Sequence, residues 1–260
     1  MSSCNLLLHK IAPLRLCEKF CTQRRKGAIW IVYNLKIMLQ PITLKFLKDL
    51  KKNNTREWFE KNRKSYEAAK EDMAALINQV IAQFGKKDTS IASLTAKECV
   101  YRINRDVRFS KNKAPYKNNM AASLISGGKK SELAGYYIHI QPGGESFVGG
   151  GRYMVEPDQL KKIRQEIDYS WEAFSKIIRS KKFAACYGDL EKGEGMSLMR
   201  EPKGYEKDNP AIEYIKLKSW VATTPLTDAD LTGKDLVKKI TAALETLQPM
   251  IVFLNQALGE

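Results

Sequence analysis

Histidine and cysteine are scarce in this chain: two histidines and five cysteines in 260 residues, with Cys4, Cys17 and Cys21 inside the first 37. The other two, Cys99 and Cys186, stand alone with no C-x-x-C spacing. That supply argues against a zinc site and against a disulfide framework, and it fits a reducing, cytoplasmic setting. Long apolar runs are missing too. The longest, in Ala28–Leu35, is short and cut off by Lys36, whereas a membrane span needs about 20 residues. No small-x-small cleavage pattern follows it, so a signal peptide is not indicated. There is no G-x-G-x-x-G fingerprint, no internal repeat and no low-complexity tract, and nothing implies a cofactor.

Acid is the other deficit: 29 Asp and Glu against 44 Lys and Arg, a net charge of +15. Such a balance favours phosphates, nucleic acid or another anionic partner, and it says nothing about fold. Residues 1–37 carry seven bases and one acid, a net of +6, which leaves +9 for the remainder. Capped, periodic patterning begins only at Met38. The first 37 residues therefore read as a basic extension, with an upstream start, a genuine tail and a targeting element as the three accounts. Residues 38–260 read as one domain, large enough at 43% hydrophobic overall to bury a sizeable core.

The charge concentrates in Val100–Lys117, VYRINRDVRFSKNKAPYK, which holds six bases (Arg102, Arg105, Arg108, Lys111, Lys113, Lys117) and one acid, Asp106. Its first ten residues alternate like a half-buried strand, with Tyr101, Ile103, Arg105, Val107 and Phe109 on one face. A polar loop, Ser110–Pro115, follows and ends in Tyr116.

Helices flank this segment. Thr43 suits an N-cap for a helix bearing Leu44, Phe46, Leu47 and Leu50. Asn54 with Glu57 three residues on resembles a capping box opening one long helix to Gly85, its Trp58, Phe59 and Tyr66 stripe facing the core. Strands are expected at Ala121–Ile125, Gly135–Gln141 and Ser146–Gly149, the last two joined by the Pro142-Gly143-Gly144 turn. Gly149-Gly150-Gly151 reads as a bend or bulge, or as an anion-cradling nest. His139 reads as structural. Helices carrying Leu160/Ile163/Ile167 and Trp171/Phe174/Ile178 precede a Pro/Gly loop with Arg200, Lys203 and Tyr205. An extended or mixed stretch at Ile212–Val221 comes next, and a C-terminal helix with Pro249 as a kink closes the chain. The class is α+β: a single domain with a mainly antiparallel central sheet flanked by N-terminal and C-terminal helices.

Arg102–Phe109 (R-x-x-R-D-x-R-F), then Asn112-Lys113 and Pro115-Tyr116-Lys117, resembles the signature of the bacterial domain-of-unknown-function family 2461. The resemblance extends to Phe46–Asn54, Trp58–Arg63, Gly149–Tyr153 and Arg200–Tyr205, and covers roughly residues 40–258. It departs at Ala114, where the family often has Thr. The family carries no assigned activity, so the resemblance implies no chemistry.

Three readings of the residues follow. In the first, Arg102, Arg105, Arg108, Lys113 and Lys117, joined by Arg200 and Lys203, surround a phosphate-containing ligand or nucleic acid, with Asp106 among them and Tyr116, Tyr153 or Tyr205 stacking or donating. In the second, Asp106 serves a phosphoryl-transfer or hydrolytic enzyme as base or metal ligand. A metal needs more convergent ligands than this one acid, and none is assigned. In the third, Arg105 and Asp106 belong to a buried ion-pair network that fixes the fold.

Overall fold

The computed structural model describes residues 38–193 and 195–259. The expected basic extension, 1–37, and the boundary placed at Met38 lie at or outside the edge of the described residues.

Pro41 opens the first helix, α1 (Pro41–Lys52), from an extended Gln40. Its missing N–H costs nothing in a first turn, and its ring presets the helical φ. Thr43 is therefore inside the helix and caps nothing. Its hydroxyl and the Gln40 N–H both donate to Asp72 Oδ2, at 2.6 and 2.8 Å, and tie the start of α1 to the long helix. Thr55, not Asn54, caps α2 (Arg56–Lys61) by accepting from the Trp58 N–H. The single long helix expected here is divided at Asn62, whose side chain turns back onto Trp58 O at 2.9 Å, and α3 (Arg63–Phe84) continues beyond it. The aromatic stripe packs as core: Phe59 is buried among Phe46, Tyr66 and Tyr116.

After a short α4 (Ala96–Cys99) and the basic segment, three strands follow, β1 (Met120–Leu124), β2 (Gly135–Ile140) and β3 (Ser146–Arg152). The chain then runs through α5 (Pro157–Tyr169), α6 (Trp171–Ile178), α7 (Lys181–Tyr187) and α8 (Ile212–Ile215). It returns as β4 (Trp220–Leu226) beside β3, so the sheet is antiparallel in the order β1-β2-β3-β4. The mixed stretch anticipated at 212–221 is thus helix first and strand from Trp220. Thr227 and Asp230 cap each other in a short α9 (Asp228–Leu231) of its own, before α10 (Leu236–Leu258). Pro249 lies inside α10 and does not end it; Gly259 does, in the left-handed conformation.

This architecture is α+β, as the residue pattern predicts. Alternation puts Tyr136, Ile138 and Ile140 on one buried face, where Phe84 of α3 meets the Tyr136 ring and α10 packs on the neighbouring β3. There the Tyr136 hydroxyl donates to the buried Asp88 carboxylate at 2.5 Å, and burial pushes its phenol far up. The glycine triplet is neither bulge nor nest. Gly149, Gly150 and Gly151 keep continuous register with both neighbours. A Cβ at each would lie 2.1 Å from Ala222 O, 2.3 Å from Gly135 O and 1.9 Å from Trp220 O, so no side chain fits. Among the described residues, no helix is long and apolar enough to cross a membrane.

Candidate functional site

Val100–Lys117 folds as a narrow arch, and its first ten residues do not form the strand expected of them. Tyr101 N donates to Ala121 O at 2.9 Å, which joins its first limb to β1. Beyond that the arch pairs with itself: Arg105 N with Pro115 O, and Lys117 N with Ile103 O. Pro115 has no N–H to lengthen the ladder. The outward edge of Tyr116 is claimed by Asn54, whose amide accepts from Tyr116 N at 3.1 Å and donates to Tyr116 O at 2.9 Å. The predicted alternation survives in the burial. Ile103 is buried and Arg105 and Val107 half-buried, while Arg102, Asn104, Asp106 and Arg108 are exposed. Phe109 breaks the pattern and is 95% exposed.

The arch cations do not gather on one site. Asp106 takes a bidentate pair from Arg108 (3.0 and 2.7 Å) at the surface, and those bonds hold its carboxyl below the usual range. An exposed carboxylate stabilised in its charged form is a poor general base. It is also no part of a buried network with Arg105, which donates instead to Ala114 O (3.2 Å) and Ser110 Oγ (3.3 Å). Lys113 donates to Val107 O. Tyr116 is buried flat against Phe59, ring centroids 4.0 Å apart, so its ring offers no free face to a base. Arg200 and Lys203 are exposed on their loop and line neither of the clefts described next.

The larger cleft, 640 Å³, lies over the sheet face that the helices leave open. Gly135, Gly150 and Gly151 line its floor, and Tyr101, Tyr137, Phe147 and Tyr153 give it aromatic walls. Among the described residues three cations line it, Lys117, Lys129 and Arg152, and no Asp or Glu does. Each leans on a neutral group. Lys117 Nζ lies 5.5 Å from the Tyr101 ring. Lys129 donates to Val100 O at 3.0 Å and sits 6.0 Å from the same ring. Arg152 gives Nε and Nη2 to the Gln159 carboxamide at 3.1 and 2.7 Å. Burial, and then the Arg102 charge, pull the Lys117 ammonium below its ordinary pKa. Burial pushes the Tyr137 phenol up, so it stays a donor at neutral pH.

Lys117 also lines a second cleft of 410 Å³, together with Arg105, Lys51, Asn54, Asn112, Asn118 and Asn119. Further along the open face, His139 stacks on Phe147 (4.7 Å, 11°) and meets Gln141 through Nε2, while its buried Nδ1 has no partner among the described residues. Burial lowers its pKa. Among the described residues no group of three His, Cys, Asp or Glu side chains is placed to hold a metal.

Residues 42–253 match the family model described as "Conserved hypothetical protein (DUF2461)". The chain belongs to that family. Comparison with curated proteins and with solved structures gave no match. In this DUF2461 domain, the segments on which the resemblance rests fall around Tyr116 and Lys117. Asn54 clamps the arch, Phe59 shelves Tyr116, and Gly149–Tyr153 brings floor, cation and wall to the larger cleft. Arg200–Tyr205 stands apart. Of the ligand-binding residues expected from sequence, Lys117 and Tyr153 reach the larger cleft and Arg105, Tyr116 and Lys117 the smaller. Arg102, Asp106, Arg108 and Lys113 line neither. Lys129 and Arg152 were missed because neither sits in a charge run. Arg152 could have been found within the glycine segment, since cations beside side-chain-free backbone suit close-approaching anions.

Proposed function

We propose that this domain binds a phosphate-containing anion in the sheet-face cleft, through Lys117, Lys129 and Arg152. One observation carries the reading: among the described residues, three cations line a single open cleft whose lining holds no carboxylate, and their neighbours are a ring, a carbonyl and an amide. Cations in structural networks end against acids, as Arg108 does on Asp106. Cations held by neutral groups keep their charge available. Guanidinium and ammonium together suit an oxyanion: the fork fixes direction and the lysines add point charge. The aromatic walls favour a ligand with a flat group beside its phosphate.

The test is calorimetric titration with phenyl phosphate and with its uncharged counterpart, phenol, in the wild type and in Lys117→Met and Arg152→Gln. Saturable binding of the phosphate alone, weakened at least tenfold by each substitution, is expected. Equal binding of charged and neutral compounds, or no effect of either substitution, would overturn the reading.

A second reading keeps nucleic acid at the arch, on the strength of Phe109 standing 95% exposed, with the Arg108 guanidinium 5.8 Å from its ring and exposed Lys111 and Lys113 following it in the chain. It predicts affinity that falls steeply with salt and that is lost on Phe109→Ser with no change in phenyl phosphate binding.

A further inference from the structure

Two clefts of different chemistry meet at one side chain. The larger is walled by tyrosine and phenylalanine; the smaller is lined by amides, and Lys117 belongs to both. Asn54 and Asn112 spend their carboxamides on backbone, Asn54 on Tyr116 and Asn112 on the Ala114 N–H. Asn118 and Asn119 do not: both are half-buried at the smaller cleft, and among the described residues neither side chain has a hydrogen-bond partner. A carboxamide offers two donors and an acceptor, the complement of a hydroxyl-rich group. Arg105, held on Ala114 O and Ser110 Oγ, adds a cation with neutral partners on that side.

Resting on the anion-site reading above, we infer that the ligand spans both clefts: a diphosphate- or phosphodiester-bridged compound with an aromatic base at one end and a polyol at the other, the nucleoside diphosphate-sugar class. The base lies in the aromatic cleft near Tyr137 and Phe147. The bridging phosphates meet Lys117, with Lys129 and Arg152 behind and Arg105 ahead. The sugar hydroxyls pair with Asn118 and Asn119. A phosphate at the end of the ligand would leave the amide cleft unused; a phosphate in its middle uses both. Binding here is non-covalent and implies no reaction.

The test is a graded series measured on the full chain: inorganic pyrophosphate, a nucleoside diphosphate and the corresponding nucleoside diphosphate-sugar. The expected result is at least a tenfold gain from diphosphate to diphosphate-sugar in the wild type. That gain should vanish in Asn118→Ala/Asn119→Ala while the nucleoside diphosphate binds as before. Equal affinity for the last two ligands in the wild type overturns the two-cleft inference and leaves the anion site standing, a result that needs no variant to fold. A double variant that loses both nucleotides equally also overturns it. No binding of pyrophosphate or nucleoside diphosphate removes the anion site itself, and this inference with it.

Discussion

Replacing Gly151 by alanine should be among the most damaging single-atom-group additions to this sheet. The new Cβ would sit 1.9 Å from Trp220 O and 2.8 Å from Val221 Cα, on a residue whose φ is +129°. Ordinary carbon contacts lie at about 3.5–4.0 Å, so β3 and β4 must part locally by roughly 1.5 Å. N–H···O bonds of about 2.9 Å do not survive that opening. Two buried ladder bonds lost cost about 2–3 kcal/mol, and alanine at positive φ adds about 1–2 kcal/mol. The expected loss is therefore about 3–5 kcal/mol, a large part of a typical domain's 5–15 kcal/mol. For a domain of this size it corresponds to a thermal midpoint lower by roughly 10 °C. Gly143→Ala is the control. Its φ is +96° but its Cβ would meet nothing within 4 Å, so it bears backbone strain alone, about 1–2 kcal/mol. Urea denaturation of both variants gives the comparison. If the two lose equal stability, close strand approach is not why glycine occupies the cleft floor.

Asn54→Ala should cost about 2–4 kcal/mol in urea melts, because it strands both the N–H and the carbonyl of Tyr116. Asp106→Ala should leave the urea midpoint essentially unchanged, since the Asp106–Arg108 pair is solvent-exposed; a clear fall in the midpoint would restore the buried-network idea. Lys117→Met should leave stability unchanged or raised, because burial disfavours its ammonium, while phosphate binding disappears; loss of both would mark Lys117 as structural. Asp230 is held at about 2, chiefly by Lys239 and then by Thr227. A carboxyl depressed on folding stabilises above its ordinary pKa of about 4 and ceases to as pH falls towards 2. Asp230→Asn should therefore cost up to about 2 kcal/mol at pH 7, less after solvent screening, and almost nothing at pH 2.

Much of the fold was legible because local rules and packing agree in it. Tyr136, Ile138 and Ile140 alternate, and α10 covers that face. Phe59 and Tyr66 stand seven residues apart on the expected stripe, and both meet Phe46 of α1 in the core. Misreadings arose where a distant partner outranked a local signal. Thr43 looks like a cap until Asp72, far along the chain, claims its hydroxyl. The alternating limb from Val100 looks like a strand, yet its partner is the far limb of its own arch, and Asn54 takes the remaining edge. The site was legible only in part for the same reason. A charge run is visible in sequence, but charge that remains uncompensated is not. Arg108 is silenced by Asp106 two residues away, whereas Lys129, from the loop between β1 and β2, and Arg152, at the end of β3, are far apart in sequence and line one cleft. The stacking of Tyr116 on Phe59 likewise joins two segments, and it removes from the candidate site a ring that a sequence reading would place there.

The central claim is the location of the anion. Anomalous diffraction from crystals soaked in tungstate, an electron-dense stand-in for phosphate, tests it directly. The account predicts a tungsten peak in the sheet-face cleft, within hydrogen-bonding reach of Lys117 and of Lys129 or Arg152. A peak on the arch at Arg102, Lys111 or Lys113 with the cleft empty, or no ordered peak at millimolar tungstate, would contradict it.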